Sequence, residues 1–113
     1  MRIIQDKIAI EDIKQMAQSK FGNLIKAVVD INKNIMAIDA ELHADEESLL
    51  IENGSRQQDL WGINIYPGLG KEDWIEFDSM INLKPSQGNR SRGIESAEIK
   101  GKIISIVNGL IKA

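Results

Sequence analysis

The stretch Ala27-Val28-Val29-Asp30-Ile31-Asn32-Lys33-Asn34-Ile35-Met36-Ala37-Ile38-Asp39-Ala40-Glu41-Leu42 decides the fold. Apolar side chains alternate on both sides of its Asn-Lys-Asn centre: Ala27, Val29 and Ile31 before it, Met36, Ile38, Ala40 and Leu42 after it. A period of two marks strands with one buried face. Asparagine tolerates the positive φ that a tight turn requires. The segment therefore predicts a β-hairpin, whose other face carries Ala37, Asp39, Glu41 and, where the strand persists, His43.

Upstream, Ile13, Met16, Ala17, Phe21 and Leu24 recur at helical spacing from Glu11 onward, and Gly22-Asn23 supplies a left-handed stop. Glu11 and Asp12 suit the positive end of that helix. Arg2 to Ile10 reads as an edge strand or an extended lead-in. Downstream, Asp45-Glu46-Glu47 opens a helix capped by Asp45 and stopped by Gly54. Leu49-Leu50-Ile51-Glu52 before Asn53-Gly54 also reads as a strand entering a hairpin. Leu60 to Tyr66 alternates again, with Trp61, Ile63 and Ile65 inward, and Pro67-Gly68-Leu69-Gly70 ends it.

Trp74 to Lys84 predicts the longest strand, with Ile75, Phe77, Ser79, Ile81 and Leu83 inward, limited by Pro85. Ser96 then caps a terminal helix with an apolar stripe of Ile99, Ile103, Ile106, Val107, Leu110 and Ile111. Hairpins rather than crossovers join the strands. The expected class is α+β: a mainly antiparallel sheet of about four strands, with about three helices packed largely on one face. The 113 residues suit one domain spanning 1–113.

An apolar fraction of 42% and a charged fraction of 27% are those of an ordinary globular protein. The absence of cysteine excludes disulfides, thiolate zinc sites, iron–sulfur clusters and cysteine nucleophiles. Met1-Arg2-Ile3-Ile4 runs into Gln5, Asp6 and Lys7, so no apolar signal core forms, and no run has the length of a membrane span. A cytoplasmic protein with no membrane partner is expected. A net charge of −3 argues against binding duplex nucleic acid, which rests on many Lys and Arg contacts to phosphate.

Three surfaces carry candidate chemistry. In the loop Pro85–Gly93, Gly88 and Gly93 let backbone N–H groups converge, and Ser86, Asn89 and Ser91 add short donors. Arg90 and Arg92 bring guanidinium forks suited to phosphate or carboxylate. Ser86, Gly88, Asn89, Arg90, Ser91 and Arg92 predict a site for an anionic or phosphorylated small molecule; the bland alternative is a solvated connection whose arginines pair with the acidic sheet face. The second candidate is Glu41-x-His43-x-Asp45, an acid/base or metal site on a persisting strand, for a hydrolase or metal-dependent enzyme using His43 with these carboxylates. His43 is the only histidine, so no metal site of several imidazoles exists. The third is the outer sheet face, where Asp30, Asp39, Glu41, Asn64, Tyr66, Glu76, Asp78 and Asn82 gather. That face reads as solvated, as covered by a second copy in a homodimer, or as a cation cleft.

Weaker signals fall away. Gly68-Leu69-Gly70-Lys71 lacks the spacing of a phosphate-binding loop, and Glu72 stands where Ser or Thr should be. Asn53-Gly54-Ser55 and Asn89-Arg90-Ser91 match glycosylation acceptors only by chance when no secretory signal is present. No residue pattern names a cofactor.

Glu41-Leu42-His43-Ala44-Asp45, Gly54-Ser55 with Asp59-Leu60-Trp61-Gly62 and Asn64, and Pro85-Ser86-Gln87-Gly88-Asn89-Arg90-Ser91 together resemble a small prokaryotic family of unknown function. The resemblance covers most of the chain and implies a grouping without a reaction.

Overall fold

The computed structural model describes residues 1–112. Along the chain run β1 (Arg2–Ile4), β2 (Ile8–Ala9), α1 (Ile10–Lys20), β3 (Ile25–Asp30), β4 (Ile35–Ile38), α2 (His43–Glu52) and β5 (Leu60–Ile65). They are followed by β6 (Ile75–Glu76), α3 (Ala97–Leu110) and β7 (Ile111–Lys112). Five strands form one antiparallel sheet in the order β1-β4-β3-β5-β6. The class is α+β, as the alternation predicts. β2 and β7 pair in parallel as a separate two-stranded ribbon. No helix among the described residues is long and apolar enough to cross a membrane.

The predicted hairpin is the heart of the sheet, with Ala27 opposite Ile38 and Val29 opposite Met36. Its turn uses Asn34 at φ 59, the left-handed conformation that asparagine accommodates. Asp30 ends β3 from within. Its Oδ1 accepts from the N–H groups of Asn32 at 2.8 Å and Lys33 at 3.0 Å, and its Oδ2 from the Ser55 hydroxyl at 2.6 Å. This carboxylate therefore belongs to the turn and not to an acidic sheet face.

β4 is shorter than its alternation suggests. Asp39 takes φ 70, a left-handed value that breaks a strand, and the chain turns away after Ile38. Glu41, His43 and Asp45 consequently do not share a strand face. His43 instead begins α2, ahead of the expected cap at Asp45, and the helical reading of 45–54 prevails over the hairpin one. Gly54 at φ 99 closes it as predicted.

The main core lies between one sheet face and helices α1 and α3. Ala27, Val29, Met36, Ile38, Trp61, Ile63 and Ile65 meet Ile13 and Ala17 of α1 and Ile103, Val107 and Leu110 of α3. Ser96 caps α3 as expected, accepting from the Ile99 N–H at 3.2 Å. The other face is not the open polar surface that the acidic residues suggest. Val28, Ala37 and Leu60 point into it, and Leu50 of α2 packs on them with Ile3, Leu49 and Ile81 around the margin. Strands covered on both sides read as continuous apolar runs, and Ala27-Val28-Val29 is one. Burying Leu50 there contributes about 1.5–3 kcal/mol.

The long strand expected over Trp74–Lys84 does not form; only Ile75 and Glu76 pair with β5. Beyond them a side chain takes the place of a strand. The Asn82 amide bonds both backbone groups of Gly62: its Oδ1 accepts from the Gly62 N–H at 2.8 Å, and its Nδ2 donates to the Gly62 carbonyl at 2.9 Å. Ser79 lies against the same residue so closely that a Cβ on Gly62 would sit 2.6 Å from its hydroxyl. The backbone then makes 3-10 turns at Met80–Asn82 and Pro85–Gln87.

Asn82→Ala should therefore cost about 3–5 kcal/mol, since it leaves a buried N–H and carbonyl unpaired. Urea denaturation measures this loss, and amide exchange at Gly62 should accelerate in parallel. A loss below about 1 kcal/mol, the net worth of a single ordinary hydrogen bond, would contradict the clasp.

Candidate functional site

Where β5 begins, the 3-10 turn Gln57–Asp59 faces the segment Leu83–Gln87 across an open cleft of about 750 Å³. Trp61, Ile81 and Ile31 supply its apolar lining, while Gln57, Gln58, Ser86 and Gln87 supply neutral polar groups. The two walls are tied by side chains: Gln87 Nε2 donates to the Gln58 carbonyl at 3.1 Å, and Lys84 Nζ to the Gln57 carbonyl at 2.8 Å.

Lys84 is the unusual member. It is 8% exposed, and its Nζ stands 5.2 Å from the centroid of the Trp61 ring, within cation–π range. Among the described residues its ammonium makes no ion pair. Burial pushes its pKa down, opposed more weakly by the negative charges of Glu47 and Asp59. Asp59 lines the same cleft but pairs with Arg56 at 3.2 Å. The Trp61 indole N–H, in a residue 1% exposed, has no partner among the described residues.

The local sequence holds Lys84 in place. Gly88 adopts φ 81, so the chain reverses after Pro85-Ser86-Gln87, and Lys84 and Asn89 form an isolated antiparallel bridge. Asn89 is buried at the centre of this turn. Its amide donates to the carbonyls of Asn82 at 2.7 Å, Gly93 at 2.8 Å and Ser91 at 3.2 Å, while its Oδ1 accepts from the Glu95 N–H at 2.8 Å.

The predicted anion loop is thus divided. Ser86 lines the cleft, but Gly88 and Asn89 direct their N–H groups to the carbonyls of Pro85 and Lys84. Arg92 pairs with Asp78, Nε to Oδ1 at 2.7 Å, at a position beyond the end of β6 and not on a sheet face. Arg90 and Ser91 are exposed and lie outside the cleft lining. Gln57 and Gln58 are site residues that the sequence does not disclose. Lys84 and Gln57 are 27 positions apart and meet only through the fold.

His43 and its carboxylate neighbours are also separated. The His43 ring is buried, with Nε2–H donating to the Ile63 carbonyl at 2.7 Å, so the proton sits on Nε2. Burial lowers its pKa, and the Ile63 bond opposes that effect. Glu41 and Asp45 are exposed and line a different depression beside Met1 and Ser48. No group of three or more His, Asp or Glu side chains among the described residues is placed to hold a metal ion.

The carboxylate that α2 does bury is Glu46, one turn from His43 on the stripe His43, Glu46, Leu50. It is fully enclosed, accepts from the Ala40 N–H at 3.1 Å through Oε2, and leaves Oε1 without a partner. Burial drives its pKa up to about 9, with the Ala40 bond pulling weakly the other way. A helix begun at His43 would have placed it on the inner face.

A family model for a protein of unknown function, DUF5674, matches residues 2–110. The chain belongs to this family. No curated protein and no solved structure matches it. The DUF5674 match takes in the whole five-stranded sheet, the three helices and both walls of the cleft.

In this DUF5674 chain Glu46 is protonated at neutral pH. Its folded pKa lies above the unfolded value, so the folded state holds the extra proton between about pH 4.5 and 9, and stability falls as pH rises through that window. Glu46→Gln, which mimics the protonated acid, should raise stability on the order of 3 kcal/mol at pH 7. The gain should shrink toward pH 4.5. Thermal melts of both proteins across that range check it; a gain independent of pH would exclude a buried neutral acid.

Proposed function

We propose that the domain binds a small anionic ligand, bearing a carboxylate or phosphate, in the cleft between Gln57–Asp59 and Lys84–Gln87. The observation that carries this reading is the buried, unpaired Lys84 ammonium on the cleft wall. A buried charge is costly unless something of opposite sign meets it. Here one backbone carbonyl and one aromatic face are its partners, so an anion entering the cleft gains a desolvated cation already held in position.

The remaining groups fit the same ligand. Ser86, Gln58 and Gln87 can bond its polar atoms, and Trp61 with Ile81 offers an apolar wall for its body. The site takes up the first half of the loop singled out in the sequence, while Arg92 stays with Asp78 and Arg90 is left to solvent.

Thermal melts with sulfate, phosphate and small carboxylates test the reading. Saturating anion should raise the melting temperature of the wild type and of Arg90→Ala by about 5 °C or more, and should leave Lys84→Met unmoved. Each variant is compared with its own anion-free melt. Anion stabilisation that survives in Lys84→Met would overturn the assignment.

A further inference from the structure

We infer that Lys84 is a carbonyl-reactive amine, and that the cleft takes small keto or aldehydo carboxylates, which condense with Nζ as an imine. This rests on the ligand-binding reading of the cleft and gives its ligand a class. Lys84 is the one buried lysine among the described residues; elsewhere Lys20 and Lys102 hold carboxylates, and Lys7 donates to the Gly109 carbonyl at the surface. An amine attacks a carbonyl only as the free base, and burial without a carboxylate partner gives Lys84 a larger share of that base than an exposed lysine has.

The geometry of Nζ suits attack. Its one hydrogen-bond partner is an acceptor, the Gln57 carbonyl at 2.8 Å, which fixes an N–H and leaves the lone pair of the neutral amine unoccupied. The Trp61 face limits the amine's swing on the other side. Ser86 and Asp59 line the same cleft and provide a hydroxyl and a carboxylate for proton transfer.

In the reaction the Nζ lone pair forms a bond to the carbonyl carbon, and the carbonyl π electrons move to oxygen. A proton passes from nitrogen to that oxygen to give the carbinolamine. The oxygen then takes a second proton, supplied by solvent in the open cleft, and leaves as water while the C=N bond forms. One water is released and nothing is oxidised or reduced. The iminium nitrogen carries the positive charge brought by that second proton, so a carboxylate on the adjoining carbon neutralises it within the ligand. That pairing favours 2-oxo acids over neutral aldehydes.

The full-length chain is incubated with glyoxylate, reduced with borohydride, and mapped by peptide mass spectrometry. Lys84 should be trapped about tenfold or more faster than the exposed lysines, reflecting its larger share of free base. Trapping of Lys84 no faster than that of exposed lysines overturns the inference. If phosphate still stabilises the wild type in that case, only the covalent step fails; if stabilisation is also absent, both readings fail. Lys84→Arg should lose the fast adduct. Persistence of equally fast trapping elsewhere in Lys84→Arg would also overturn the inference.

Discussion

The side chain of Asn82 bonding both backbone groups of Gly62 is the contact on which the architecture of the second half of the chain depends. A central strand of a sheet needs a partner along each edge, because its N–H and carbonyl groups cannot be buried unpaired. Over Asn64 and Ile65 that partner is β6. At Gly62 it is one amide, whose donor and acceptor reproduce what a strand residue would offer. Backbone that a paired strand would have consumed is thereby free to turn. Asn89 fixes the turning segment with four further contacts, and Lys84 stands between the two asparagines. The position of the cleft follows from this pair of amides.

Buried charge is handled in three different ways within this small domain. Asp30 receives a hydroxyl and two backbone N–H groups, so its carboxylate is solvated by protein. Glu46 finds one donor and gives up its charge instead. Lys84 has neither a carboxylate within ion-pair reach nor full enclosure, and it lies on a cleft wall. Only the last arrangement leaves the group without an opposite charge in a place that a ligand can reach, which is why the functional reading falls on it and not on the two acids.

Much of the fold is legible in local pattern. The hairpin around Asn32-Lys33-Asn34, the Ser96 cap and the Gly22 and Gly54 stops each follow from short-range geometry, and each is in the structure. The misread segment is Trp74–Lys84, whose alternation is genuine. Ile75, Phe77 and Ile81 do reach apolar surroundings, but period two reports burial and not the identity of the backbone's partner. Asn82 sits within that alternation as one more outward polar residue. The cleft was hidden for a related reason. Arg90 and Arg92 form an obvious basic cluster, yet one is neutralised by Asp78 and the other projects into solvent. Lys84 becomes distinctive only through what covers it, and that cover comes from residues far off in the chain.

The parallel pairing of β2 with β7 sets an order on assembly. Ile8 and Ala9 lead directly into the first helix, but the strand that pairs with them, Ile111–Lys112, is the last described part of the chain. A nascent polypeptide leaves the ribosome from its N-terminal end, so α1 and the hairpin emerge long before their cover of α3 and β7. Until then that face of the sheet lacks the cover of α3, and the closing step brings together segments more than a hundred residues apart. The ribbon that joins the two ends of the described chain is therefore the last piece of the fold that synthesis can complete.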